Sequence, residues 1–295
     1  YRNILDIQFI PLNKKQKQVK RSIEDRQVYI ICVFMKNICH ENAKIRDLAL
    51  LLRSNYQIEI MPKKARLYLL PVPIDDCAAD TIPPATTSVL YQIKFFLAER
   101  SKTARKFIKM LGHPLHQNDI TLVELDKHGA PDIKTLQSWL DAGNDVGLMS
   151  ESGCPGIADP GAEVIQWAHR SGYEVVPLVG PSSILLALMA SGFNGQSFVF
   201  HGYLPNKKEE LVKKVKLLEQ NAGRLNQSQI FIETPYRNLT MYDILVSTLQ
   251  PNTHLSIHMG LTGPHAYSKS KTVKEWRKLG CSELRKDIPA IYIIG

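Results

Sequence analysis

From Leu67 onward, short apolar runs alternate with stretches whose apolar residues recur at helical spacing. Leu67–Leu70, Lys94–Glu99, Thr121–Leu125, Val146–Met149 and Val175–Val179 read as strands. Between them, 101–111 (SKTARKFIKML) puts Ala104, Phe107, Ile108 and Leu111 on one face of a basic amphipathic helix. Asp132–Leu140 reads as a helix stopped by Gly143. The stretch 145–192 is the most informative. It runs strand, small-residue loop, helix, strand, Gly180-Pro181 turn and helix, which is the order of a parallel βαβ unit. Sheets of this kind bind ligands outside the carboxyl ends of their strands.

Past the turn the pattern changes. Ile184–Ala190 (ILLALMA) is apolar nearly all round, so it is expected to be buried between two domains, with the boundary at the turn. Phe198–Phe200 reads as a strand and His201–Pro205 as a turn. Asn206 with Glu209 resembles a capping box opening a basic helix over Lys207–Gln220. Ile230–Glu233, His254–Gly260 and Ala290–Ile294 read as strands and Tyr236–Leu249 as a helix. Hairpin-like and crossover connections alternate here, which predicts a mixed sheet. The expected organisation is an extension over 1–60, an N-terminal α/β domain over 61–180 and a C-terminal α/β domain over 181–295.

Residues 1–60 show no motif; Gln27–Met35 could be one strand, and Met61 is expected to begin the folded unit. This segment holds 11 Lys/Arg against 6 Asp/Glu, so more than half of the net charge of +9 lies in it. A basic balance suits a nucleic-acid substrate, but the body of the chain is only modestly positive. No run of eighteen apolar residues predicts a membrane span. The five cysteines, Cys32, Cys39, Cys77, Cys154 and Cys281, lack C-x-x-C spacing, which argues against zinc or a disulfide framework and for a cytoplasmic protein.

Two loops carry the candidate chemistry. Ser150–Gly161 holds Gly153, Gly156 and Gly161 with Glu151 and Asp159, and it ends on a helix N-terminus. Plain βα connections need only about 2–6 residues, so twelve of this composition favour a binding loop. Glycines there bare the backbone N–H groups, and a helix start attracts a carboxylate or phosphate. The second loop, Gly180–Ser183, is a tight turn leading into the apolar helix. Neither G-x-G-x-x-G nor G-x-x-x-x-G-K-[ST] occurs, which argues against dinucleotide and P-loop sites.

With these pieces assembled, residues 66–295 resemble the tetrapyrrole-methylase-type (class III) S-adenosylmethionine-dependent methyltransferases, within them the branch that methylates cytidine 2′-O in 16S ribosomal RNA. The likeness rests on LYLLPVPIDD (67–76), SESGCPGIADPG (150–161), VPLVGPSSILLALMASG (176–192), FVFHGYLPNKK (198–208) and IFIETPYR (230–237). It implies a homodimer whose two α/β domains, the first mostly parallel and the second mixed, hold S-adenosylmethionine in the cleft between them. The cofactor would touch Pro71, Pro73, Ile74, Cys154, Pro155, Gly156, Ile157, Ser182 and Ser183 from the first half and its turn. Tyr203, Leu204, Leu261, Thr262 and Pro289 would complete the pocket. For a hydroxyl acceptor, Glu99, His128 and Glu233 are the candidate bases.

The departures fall on the substrate side. The branch has Ala-Glu-Asp-Thr-Arg where this chain has Ala98-Glu99-Arg100-Ser101-Lys102, and Arg-Glu-Leu-Thr-Lys where it has Met259-Gly260-Leu261-Thr262-Gly263. Its Thr-Pro-Ile-Gly-Asn becomes Val72-Pro73-Ile74-Asp75-Asp76. Three functions therefore compete: methylation of ribosomal RNA, methylation of a tetrapyrrole-like small molecule, and cofactor binding without catalysis.

Overall fold

The computed structural model describes residues 65–125 and 132–295, which lie in a unit running from Pro62 to Gly295. The expectations for residues 1–60 fall outside the described residues.

The first sheet is built from β1 (Arg66–Leu70), β2 (Phe95–Ala98), β3 (Thr121–Glu124), β4 (Val146–Met149) and β5 (Glu174–Pro177). All its pairings are parallel, in the order β3-β2-β4-β1-β5. The connecting helices are α1 (Pro84–Leu90), α2 (Ser101–Met110), α3 (Ile133–Asp141) and α4 (Ala162–Arg170). The central strands β1, β2 and β4 are short and apolar because both their faces are covered. Tyr68, Leu70 and Phe96 pack with α1 and α2, while Leu67, Leu97 and Leu148 pack with α3 and α4. Gly147 lies where a Cβ would come within 2.4 Å of Leu70 Cδ1, so β4 can pass its neighbour only with a hydrogen there. Helix α1 was not visible in the apolar pattern. Pro84 at its first turn fixes the backbone dihedral that begins it.

Helix α5 (Ser183–Ser191) leads into the second sheet, β6 (Phe198–Tyr203), β7 (Ser228–Glu233), β8 (His254–Met259), β9 (Tyr267–Thr272) and β10 (Ala290–Ile294). Its order is β6-β7-β10-β8-β9, with β6 and β7 parallel and the rest antiparallel. Helices α6 (Lys208–Leu225), α7 (Asn238–Thr248) and α8 (Val273–Leu279) cover one face. At the centre of that layer Trp276 is fully buried and donates its Nε1–H to Leu255 O at 2.8 Å. Tyr242 donates to Trp276 O at 2.6 Å, and Tyr292 lies stacked on Phe231. Helix α5 packs Ala187 and Leu188 on the other face, against Ile230, Ile291 and Ile293.

Several local expectations change. The turn expected at His201–Pro205 is instead the end of β6, which runs to Tyr203 through a register shift at Gly202, a residue with φ of 64°. Asn206 does not cap α6; Lys207 holds that position without a side-chain bond. A capping box does occur, at Thr272 and Glu275 of α8. The polar run that forms β9 hid this strand from hydrophobic patterning, because its side chains alternate onto an edge. Helix α5 is not buried all round: Leu185 is 51% and Met189 78% exposed.

Candidate functional site

Strands β4, β1 and β5 are neighbours, so the three loops leaving their carboxyl ends converge. Val72 and Gly153 join the first two loops through backbone bonds of 2.9 and 3.1 Å. The third is pressed against the first. A Cβ on Gly180 would lie 2.2 Å from Pro71 Cβ and 2.7 Å from its Cγ, so only glycine allows this approach. Gly153, with φ of 71°, takes a backbone conformation that L side chains rarely adopt. The small residues in these loops are thus required by how closely the three chains pass.

Above the loops lies a cavity of about 410 Å³, roofed by the second sheet. That volume is in the range of small-molecule and cofactor sites. Of the residues anticipated from sequence, Ile74, Cys154, Ile157, Ser182, Ser183, Tyr203, Leu261 and Pro289 line it. Pro71, Pro73, Pro155, Gly156, Leu204 and Thr262 are not part of its lining. Pro71 forms the contact under Gly180, and Leu204 is buried in the core beneath the second sheet. Sequence reasoning missed Asp75, Phe200, Ile232, His258 and Ile288, which also face the cavity. Phe200, Ile232 and His258 are strand positions whose alternation decides which face they take, and that register was not legible.

Ala158 in the lining, with φ of 64°, and Thr262, next to the lining residue Leu261 and with φ of 72°, are non-glycine residues with left-handed backbones. Such conformations cost about 1–3 kcal/mol each and are held only where the surroundings impose them. Thr262 Oγ1 and Glu233 Oε2 are buried without a hydrogen-bond partner. Ser182 begins α5 without using its hydroxyl as a cap.

The charged groups in the lining are Asp75, Asp159, Glu233 and Asp287, with no Lys or Arg among the described residues. Glu233 is buried, accepts from Thr234 N at 2.7 Å and lies 3.4 Å from Arg237 Nη2. Glu99 is not in the lining; its Oε2 accepts the Glu151 N–H at 3.2 Å, and burial raises its pKa. Asp159 is pushed up to about 7, first by burial and then by the Glu99 and Glu151 charges. His258, held at 2.7 Å from Ser256 Oγ and 2.9 Å from Ser268 Oγ, is lowered by burial to about 4. Burial also pushes the Cys154 thiol up. His128 lies outside the described residues. No helix among the described residues is long and apolar enough to cross a membrane, and none of them form a group of three or more metal-ligating side chains.

Two α/β layers meeting over the loops of a parallel sheet define the fold of a known methyltransferase class. The solved structure of the methyltransferase CobJ matches with a TM-score of 0.52 and 17% identity, over 78% of this chain and 93% of that one. Among curated proteins, the ribosomal RNA small subunit methyltransferase I of Hydrogenobaculum sp. is 30% identical over 200 residues, 68% of this chain and 82% of that protein. The protein of that name from Halalkalibacterium halodurans is 30% identical over 72% of this chain and 70% of its own length. The chain belongs to the family of the ribosomal RNA small subunit methyltransferase I. The match to the Bacillus subtilis member, 31% identical over 58% of this chain, spans about half of that protein, 55%. No family model matches the chain.

Proposed function

We propose that this chain transfers a methyl group from S-adenosylmethionine to a ribose 2′-hydroxyl of small-subunit ribosomal RNA, in the cytoplasm and as a homodimer. The observation that carries the reading is the cavity: its wall is acidic and without lysine or arginine, and the buried Glu233 Oε2 in it has no hydrogen-bond partner. Such a wall suits a sulfonium cation. The glycine-bared loops and the start of α5 suit the carboxylate at the other end of the same molecule.

In this reading Ile74, Cys154, Ile157, Ser182, Ser183, Tyr203, Leu261 and Pro289 hold the cofactor directly. Pro71, Pro73, Pro155, Gly156, Leu204 and Thr262 shape the walls behind them. The two halves, 61–180 and 181–295, act as the jaws of the cleft. S-adenosylmethionine supplies an electrophilic methyl group when bound. The protein supplies alignment of the acceptor, which can lower a barrier by about 7–11 kcal/mol. Glu233, 3.4 Å from Arg237 Nη2, orients groups at the roof. Glu99, bonded to the Glu151 backbone, holds the long loop in place.

RNA reaches the cleft past Arg100 and Lys102, which follow the carboxyl end of β2 at the start of α2. Val179, Leu185 and Met189, 75%, 51% and 78% exposed, give a second copy an apolar face.

The test is transfer of tritium from S-adenosylmethionine to small ribosomal subunits of a Bacillus subtilis strain lacking its own small subunit methyltransferase I. Label in RNA, falling steeply with salt as phosphate contacts require, supports the proposal. Cofactor binding with no label in RNA refutes it in favour of a small-molecule acceptor or a non-catalytic role.

A further inference from the structure

We infer that Asp159 is the group that accepts the proton of the acceptor hydroxyl during methyl transfer, an inference that rests on the reading above.

Four carboxylates face the cavity, and three are committed. Asp75 accepts the Cys77 N–H at 2.9 Å. Glu233 is held by Thr234 and Arg237, and Asp287 by Arg285 at 2.9 and 2.5 Å. Asp159 alone among them has neither a hydrogen bond nor an ion pair with the described residues. Outside the lining, Glu99 is bonded to the Glu151 N–H, and Glu151 lies 3.3 Å from Arg100 Nε and 3.5 Å from Thr103 Oγ1.

The position is built. Asp159 follows Ala158, whose left-handed backbone sets the direction in which the next residue leaves the loop. It precedes Pro160, which restricts its own backbone. The same loop is tied at Gly153 to Val72, in the loop that follows β1.

The groups that face Asp159 are Glu99 at the end of β2, Glu151 in the same loop and Tyr203 at the end of β6. None is a cation, and Asp159 has no ion pair with any of the described residues. Burial and these neighbours bring its pKa to about 7, where a carboxylate accepts a proton far more readily than an ordinary one. In the step, the O–CH₃ bond forms as the S–CH₃ bond breaks. The electron pair of the latter stays on sulfur, and the hydroxyl proton passes to Asp159 and then to water.

The test compares the intact chain with Asp159→Asn and Asp159→Glu on the same undermethylated small subunits, following kcat from pH 5.5 to 9. Wild-type kcat is expected to rise through about pH 7. Asp159→Asn should lose about 100-fold or more in kcat and lose that inflection, while Asp159→Glu keeps part of the rate and an inflection. S-adenosylhomocysteine affinity by calorimetry should stay within about threefold in Asp159→Asn. Independently of activity, infrared difference spectra should show a protonated carboxyl band that titrates near pH 7 and is missing from Asp159→Asn. The inference is overturned by Asp159→Asn with near wild-type kcat, by an infrared band that persists in it, or by a large loss of S-adenosylhomocysteine affinity, which would make Asp159 a cofactor ligand. Failure of the wild type itself to bind S-adenosylhomocysteine overturns the methyltransferase reading instead, and this inference with it.

Discussion

Replacing Gly180 by alanine puts the largest strain on the cofactor cradle for the smallest chemical change. The new methyl would sit 2.7 Å from Pro71 Cγ and 2.2 Å from Pro71 Cβ, the latter more than 1 Å inside ordinary contact. A flexible side chain could swing away, but a proline ring moves only with its backbone. Pro71 follows β1, and Val72 beside it is bonded to Gly153, so displacement of Pro71 propagates to both other loops. Overpacking of this kind costs about 1–3 kcal/mol. For a unit of this size that is a fall in melting temperature of about 2–12 °C. The cavity floor shifts with the loops, and S-adenosylhomocysteine affinity should drop by at least about tenfold, or about 1.4 kcal/mol. Thermal denaturation and calorimetry read the two effects. Gly195→Ala is the control, since a methyl there meets nothing within 4 Å. Unchanged affinity and melting temperature in Gly180→Ala would refute the claim that this contact sets the cradle.

Other perturbations test other parts of the account. Trp276→Ala removes the fully buried centre of the second core and the bond to Leu255 O, and should cost about 3–5 kcal/mol in urea denaturation. His258 has a folded pKa of about 4, below its unfolded value near 6.5, so the stability it contributes is fully present above about pH 6.5 and is lost as pH falls toward 4. That loss amounts to about 3 kcal/mol, and His258→Asn should flatten the acid limb of a stability–pH curve by a comparable amount. Asp159 works in the opposite sense: its raised pKa gives a contribution present at low pH and lost as pH rises through about 7. Met189→Asp, on the exposed apolar edge of α5, should convert a dimer to monomers in sedimentation without lowering the melting temperature of the monomer.

The central strands β1, β2 and β4 were legible because they are largely buried and read as apolar runs, and helices α2 to α4 were legible from their helical spacing, whereas α1 was not. The long loop before α4 was legible too, since its glycines and prolines have no role in a plain connection. The second sheet was read less well. Strand β9 (YSKSKT) carries almost no apolar signal, and Gly202 lets β6 continue where His-Gly-Tyr suggested a turn. Helix α5 misled in another way: an apolar surface on all sides predicts burial, but Leu185 and Met189 remain exposed in a single copy. Asp159 was visible as a loop carboxylate, while its lack of a partner among the described residues goes with Glu99 and Glu151 taking other bonds, and only the structure reveals such an allocation.

The central claim is that the cleft over β1, β4 and β5 holds a folded methyl donor. Titrating the purified chain with S-adenosylhomocysteine in a calorimeter tests it directly. The account predicts one site per chain, with a negative heat-capacity change from burial of the adenosyl group, and loss of that heat in Gly180→Ala. A folded protein giving no heat with the donor or with its demethylated product between pH 6 and 9 would contradict it.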